Sequence, residues 1–156
     1  MRRILCSLAI AAVGFGTFGS ADCHAQQPGP TLAQVSLKGV VGSDDLNDSS
    51  ALECRVYDDT GTLVARFSSR VGCLRDHKPW GPIQIPIVNK NAPMSSLVKG
   101  RVVLKISGDT DCWRTSFFLT LKGSDNKVLT AGMDAIELRT DRGGPFEAGI
   151  EGMLKK

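Results

Sequence analysis

Hydrophobic and polar residues alternate with a period of two over most of the chain after residue 31. The clearest case is Ala51–Tyr57, which places Leu52, Cys54 and Val56 on one face and polar or charged side chains on the other. Such alternation predicts a half-buried β-strand. The sequence Asp-Asp-Thr-Gly then predicts a turn, because glycine tolerates a positive φ, and the alternation resumes in the next six residues. Together these segments predict a β-hairpin.

The same period predicts further strands at 32–41, 83–88, 101–106, 113–121, 127–130, 135–139 and 146–154. Pro82 and Pro86 favour an edge position for 83–88, because proline cannot donate to a ladder. The segments 77–82 and 89–96 are predicted to be loops, the second with room for one helical turn. The chain is therefore predicted to be all-β, an antiparallel β-sandwich of about eight strands, immunoglobulin-like or jelly-roll-like. A small β-barrel is the alternative.

Residues 1–25 have the three parts of a secretory signal peptide. A pair of arginines precedes an apolar stretch, and a Cys-His-Ala tripeptide provides a cleavage site. The apolar stretch has about 15 residues, fewer than the roughly 20 that span a bilayer. We therefore predict cleavage after Ala25 and a secreted or periplasmic protein. Cleavage after Ala21, or lipoprotein processing at Cys23, is the alternative.

The rest of the chain divides into a short linker and one domain. Residues 26–31, with the sequence QQPGPT, predict a disordered linker, and residues 32–156 a single domain. Loss of the signal peptide lowers the net charge from +3 to +2 and leaves His77 as the one histidine. So small a charge does not favour nucleic acid as a partner. No segment after the signal peptide is apolar enough to predict a transmembrane helix.

Three cysteines remain after the predicted cleavage, and an oxidising compartment favours one disulfide among them. Cys54 lies in the middle of an apolar strand face, where a buried thiol packs as a small hydrophobic group. Cys73 follows Val71-Gly72 in a predicted loop, and Cys112 lies at the start of a predicted strand, on its more polar face. We therefore predict a Cys73–Cys112 disulfide, with Cys54–Cys73 as the second choice.

The chain lacks the motifs of the common hydrolases. There is no G-x-S-x-G nucleophile elbow, and a Ser-His-Asp triad would have to use His77. Most carboxylates lie in predicted turns, where aspartate bonds to its own backbone. Clustered carboxylates in loops also suit calcium, although no fixed-spacing calcium motif is present. The calcium candidates are Asp44, Asp45, Asp48, Asp109 and Asp111. No other cofactor is predicted.

Trp80 stands between a proline and a glycine in a predicted loop, where an exposed indole would contact a sugar or a protein. The other residues of this predicted contact surface are His77, Asp109, Asp111 and Trp113, although Trp113 also fits the apolar face of its strand. These features predict a non-catalytic protein with a binding or structural role at the cell envelope or outside the cell. Its expected partner is a protein or a polysaccharide. A small secreted hydrolase that uses a carboxylate pair, and a secreted enzyme inhibitor, are the alternatives.

Overall fold

The computed structural model describes residues 29–108, 111–141 and 144–154. The predicted signal peptide, and residues 26–28 of the predicted linker, lie outside the described residues. Eight strands and two short helices form within the described ranges. They are β1 (Leu32–Val41), β2 (Ala51–Tyr57), β3 (Leu63–Arg70), β4 (Pro79–Gln84), α1 (Met94–Val98), β5 (Arg101–Ser107), β6 (Cys112–Gly123), β7 (Val128–Arg139), β8 (Phe146–Gly149) and α2 (Ile150–Met153).

The strands form two four-stranded antiparallel sheets that pack together as a sandwich. The first sheet has the order β4–β1–β6–β7, and the second sheet has the order β3–β2–β5–β8. The predicted all-β sandwich of eight strands is confirmed, and so is the β2–β3 hairpin. Within the described residues the strands stay in two separate sheets, so the alternative of a closed barrel is wrong.

The core lies between the sheets and consists of the inward-facing residues of the alternating strands. From β6 the first sheet contributes Trp113, Phe117 and Leu119, all fully buried. The second sheet contributes Cys54 in the middle of β2, buried as predicted, and burial raises the pKa of its thiol to about 12. The rings of Phe117 and Phe146 meet edge to face with centroids 5.7 Å apart, which joins the first sheet to the second.

The prediction of a loop at 77–82 is wrong from Pro79 onward, because β4 begins at Pro79. Trp80 pairs with Gly39 of β1, and its side chain is turned into the core. β4 is an edge strand, as predicted, but it lies earlier in the chain than 83–88. Pairing with a distant strand, rather than local alternation, decides where β4 starts.

Two other boundaries also differ from the prediction. The predicted strands at 127–130 and 135–139 are one strand, β7, interrupted by a bulge in which Asp134 and Ala135 lie opposite Ser116. The last predicted strand ends at Gly149, where the chain turns into α2 and buries Ile150 and Met153. The helical turn allowed for at 89–96 is α1, which begins at Met94.

Trp80 and Trp113 form a buried aromatic pair at one end of the core. Their ring centroids are 5.2 Å apart and their planes are inclined by 56°. Nε1 of Trp80 donates to Oγ1 of Thr115 at 3.0 Å, and the same hydroxyl donates to the carbonyl of Val40 at 2.9 Å. Gly39 leaves room for the indole, since a Cβ at this position would lie 2.7 Å from Nε1.

The outer edges of the two sheets are protected in different ways. On β3, the Arg66 N–H donates to the Pro86 carbonyl at 3.0 Å, and the Val88 N–H donates to the Val64 carbonyl at 2.8 Å. On β4, Pro79 and Pro82 have no N–H group to present. In the described part of the chain, neither helix has the length and apolar character needed to cross a membrane.

We expect Thr115→Val to lower the free energy of unfolding by about 1–3 kcal/mol, because it leaves the buried Trp80 N–H without an acceptor. The same substitution should cost less in a Trp80→Phe background, which lacks that donor. Urea unfolding of the four proteins in this double-mutant cycle measures the coupling. Costs that simply add would show that the hydrogen bond contributes nothing.

Candidate functional site

The outer face of the first sheet carries a half-buried aromatic ring, that of Phe118. It points away from the core because β6 alternates, and its neighbour Phe117 is fully buried. Across the sheet Phe118 pairs with Lys38 of β1 and with Gly132 of β7. A Cβ at Gly132 would lie 2.6 Å from Cδ1 of Phe118. The ring therefore lies against the sheet, over the backbone of Gly132.

A groove of about 300 Å³ lies between Phe118 and the β4 edge. Its lining residues are Lys38, Gly39, Val40, Pro79, Trp80, Gly81 and Phe118. Val40 is 43% exposed and Pro79 is exposed, so both offer apolar surface to a ligand. Trp80 contributes little surface, because it is 5% exposed. The groove is thus apolar along its length, with one ammonium group from Lys38.

Uncharged polar side chains fill the row of the sheet next to this aromatic ring. Thr120 of β6 pairs with Ser36 on one side and Thr130 on the other, and Gln84 pairs with Ser36. Nε2 of Gln34 donates to Oε1 of Gln84 at 3.0 Å, which holds two amides side by side. The row crosses four strands, a width of about 14 Å at the usual strand spacing. It presents hydroxyl and amide groups beside an aromatic surface.

The two tryptophans predicted at the contact surface are core residues. Trp113 is 0% exposed and Trp80 is 5% exposed, so neither indole offers a face to a ligand. Trp80 sits in β4 rather than in a loop, and its pairing with Gly39 directs it inward. The buried Trp80–Trp113 pair is therefore a packing feature, and the predicted contact surface has to be revised.

The other predicted contact residues lie apart from the tryptophan pair. His77 is exposed in the loop before β4, with a φ of 53°. Asp109 lies outside the described residues. Asp111 is buried, and its Oδ2 accepts hydrogen bonds from Oγ of Ser50 at 2.7 Å and from the N–H of Asn47 at 3.1 Å. These bonds fasten the loop after β1 to the start of β6, so Asp111 acts as a structural anchor.

The predicted calcium ligands converge only in part. Asp44, Asp45 and Asp111 line a cleft of about 340 Å³, together with Arg139. Asp48 is exposed outside that cleft. Over residues 29–108, 111–141 and 144–154, no three His, Cys, Asp or Glu side chains are placed to hold a metal ion. The described geometry therefore lends the calcium hypothesis no support.

The hydrolase alternative needs a pair of carboxylates. Desolvation, followed by the influence of the Asp45 carboxyl group, raises the pKa of Asp76 above its ordinary value. Both side chains are exposed, however, and exposure works against the desolvation that tunes a catalytic acid. Three glutamates form ion pairs with arginines instead: Glu53 with Arg55 and Arg66, Glu137 with Arg114 and Arg139, and Glu147 with Arg101.

The predicted Cys73–Cys112 disulfide is not formed, since Cys54, Cys73 and Cys112 are all free. Cys73 is exposed and lines a depression beside Pro79. Cys112 lines the acidic cleft instead, together with Asp44. Burial, followed by the influence of the Asp44 carboxylate, raises the pKa of Cys112 to about 11. The two thiols thus belong to different surroundings at this end of the sandwich.

No family model matches the chain, and neither the curated proteins nor the solved structures include a significant match. The function therefore has to be inferred from the geometry of this chain itself.

Sequence reasoning missed Phe118 as a site residue. The alternation of β6 puts Phe118 on the polar face of its strand, together with Arg114, Ser116 and Thr120. A large aromatic residue on a polar strand face is the feature that could have identified Phe118, because a solvated strand face is usually polar. The sequence instead predicted Trp80 and Trp113 at the contact surface, because local sequence does not reveal whether an indole is buried.

Asp111→Asn should lower the free energy of unfolding by about 1–3 kcal/mol, because charge-assisted hydrogen bonds to a buried carboxylate are lost. Asp48→Asn is the matched control, an exposed aspartate in the loop after β1 that should change stability by about 0.5 kcal/mol or less. Urea unfolding of both variants decides the matter. Equal effects of the two substitutions would contradict the anchoring role of Asp111.

Proposed function

We propose that this protein is an exported, non-catalytic domain that binds polysaccharide on the outer face of its first sheet. The observation that carries the proposal is the position of Phe118, whose ring lies over Gly132 beside a row of hydroxyl and amide groups. The contact surface is moved from the loops around Trp80 to the sheet itself. The groove between Phe118 and Pro79 includes Pro79 and Trp80, which belong to the segment 77–82 that the sequence predicted as a contact loop.

The chemistry of a sugar ring supports this choice of ligand. A pyranose has an apolar face of C–H groups and a rim of hydroxyl groups. An aromatic ring can bury the C–H face, while side-chain hydroxyls and amides both donate to and accept from the rim. Phe118 would contact the C–H face of the sugar. Hydrogen bonds to its hydroxyl groups would come from Thr120, Ser36 and Gln84.

The shape of the surface also favours a chain over a compact ligand. Compact ligands are held in concave pockets that enclose most of their surface. The Phe118 face is instead an open sheet four strands wide, with one shallow groove along it. A polysaccharide can lie across such a face and gain contacts from several sugar units.

Binding without catalysis fits the side chains around Phe118. The residues paired with Phe118 and Thr120 across the sheet are Lys38, Gly132, Ser36 and Thr130. This set includes no carboxylate, histidine or cysteine, the groups on which most hydrolytic mechanisms depend. The groups present here suit recognition of a neutral ring and its hydroxyls.

Phe118→Ala is expected to weaken polysaccharide binding about tenfold or more, because an aromatic contact of this size is lost. Affinity electrophoresis in gels that contain cellulose derivatives, mannan or polygalacturonate measures the effect. Gly132→Ala should also weaken binding, because the new methyl group displaces the Phe118 ring.

Val88→Ala is the matched control for these two variants. Val88 is 57% exposed but lies after β4, away from the Phe118 face, so its loss removes exposed apolar surface without touching the site. It should leave binding unchanged. Retention of every polysaccharide by Phe118→Ala at the level of the unaltered protein would refute the proposed site.

The export part of the proposal rests on residues 1–25 and can be tested separately. The full chain, expressed in a bacterium, should be recovered from the periplasm or the medium with Gln26 as its first residue. Cell fractionation and intact-mass measurement check this. A full-length chain that stays in the cytoplasm would contradict export, and a first residue of Asp22 or Cys23 would move the cleavage site.

A further inference from the structure

We propose that Asn47 is a site of N-linked glycosylation in the exported chain. The inference rests on the export part of the proposed function, because asparagine-linked glycans are added to secreted chains. Residues 47–49 have the sequence Asn-Asp-Ser, which matches the acceptor sequence N-x-[ST] with a residue other than proline in the middle. No other asparagine of the chain has a serine or threonine two positions later. Bacterial oligosaccharyltransferases also recognise an acidic residue two positions before the asparagine, and Asp45 occupies that position.

The side chain of Asn47 is exposed, while its backbone is fixed by hydrogen bonds. Leu46, directly before it, is fully buried and exchanges two backbone hydrogen bonds with Leu74, both 3.0 Å long. The N–H of Asn47 donates to Oδ2 of Asp111 at 3.1 Å, and its carbonyl accepts from the N–H of Ser50 at 3.1 Å. The folded chain therefore presents the Asn47 amide to solvent on an anchored turn, and a glycan on that amide would break none of these bonds.

The hydroxyl group of the acceptor sequence is separate from the hydroxyl group that fastens the loop. Ser50 is fully buried, and its Oγ donates to Oδ2 of Asp111 at 2.7 Å. Ser49 is half-buried in the turn, and Asp48, between Asn47 and Ser49, is exposed. The two adjacent serines thus have different roles. Ser50 stabilises the fold, and Ser49 is the residue that a transferase would recognise.

The modification is a group transfer whose donor is an oligosaccharide linked to a lipid pyrophosphate. The side-chain nitrogen of Asn47 forms a bond to C1 of the first sugar, and the bond between C1 and the pyrophosphate oxygen breaks. The lipid pyrophosphate leaves with the electron pair, and the nitrogen loses one proton to a base of the transferase. Asn47 lines the acidic cleft of about 340 Å³, so there is open space beside it for the first sugar. A bulky, hydrated glycan suits such a surface position.

Mass spectrometry of the full chain, exported by its own host, tests the inference. The exported protein should be heavier than its sequence by whole sugar units, all of them on the tryptic peptide 39–55. Asn47→Gln should remove the whole of this added mass, because it removes the acceptor. Ser49→Ala should remove it as well, whereas Ser49→Thr should keep it, because threonine supplies the same hydroxyl group.

Ser50→Ala and Asn91→Gln are the matched controls. Ser50→Ala removes the neighbouring hydroxyl group and leaves the acceptor sequence intact, and Asn91→Gln removes an exposed asparagine that lacks the acceptor sequence. Both variants should keep the added mass. An exported chain with the mass of its sequence alone, or equal loss of the glycan in Ser50→Ala and Ser49→Ala, would overturn the inference without affecting export. A chain that stays in the cytoplasm would refute export, and the inference would fail with it.

Discussion

The two-residue period of β6 is the constraint on which the rest of the structure depends. β6 lies between β1 and β7 in the first sheet, and every second residue from Trp113 to Leu121 is buried. A shift of pairing by one residue would exchange its faces, so that Phe118 entered the core and Phe117 met water. The fully buried position of Phe117, in contact with Phe146 of the second sheet, opposes that exchange. Core packing therefore sets the register, and the register places the candidate site.

Two glycines of the first sheet each leave space for an aromatic side chain, one on each face of the sheet. Gly39 of β1 leaves space for the Trp80 indole on the inner face, and Gly132 of β7 leaves space for the Phe118 ring on the outer face. Glycine in a strand usually weakens it, but it allows another group to approach the backbone closely. Here the close approach brings an aromatic ring into contact distance of the glycine. The inner pair stabilises the core, and the outer pair places a half-buried aromatic ring on the outer face.

Sequence periodicity predicted the elements that bury one face and solvate the other. The bounds of β2 were predicted as they are observed, and β6 was predicted within two residues at each end. Periodicity failed at β4, because Trp80 is placed by its pairing with Gly39, a residue far away in the chain. It failed also for the site, since local sequence does not say which aromatic ring finds a pocket in the core. The sequence predicted two strands in place of β7, because the bulge between them depends on the pairing of β7 with Ser116 of β6, which local sequence does not show.

The prolines of β4 have a consequence for what can approach the groove. An extended peptide joins a sheet by adding a strand to its edge, which needs backbone donors along that edge. Pro79 and Pro82 lack those donors, so a ladder built on β4 would be interrupted beside the groove. The same interruption keeps copies of the protein from joining edge to edge there. A strand added at this edge would therefore find no backbone donor at Pro79 or Pro82.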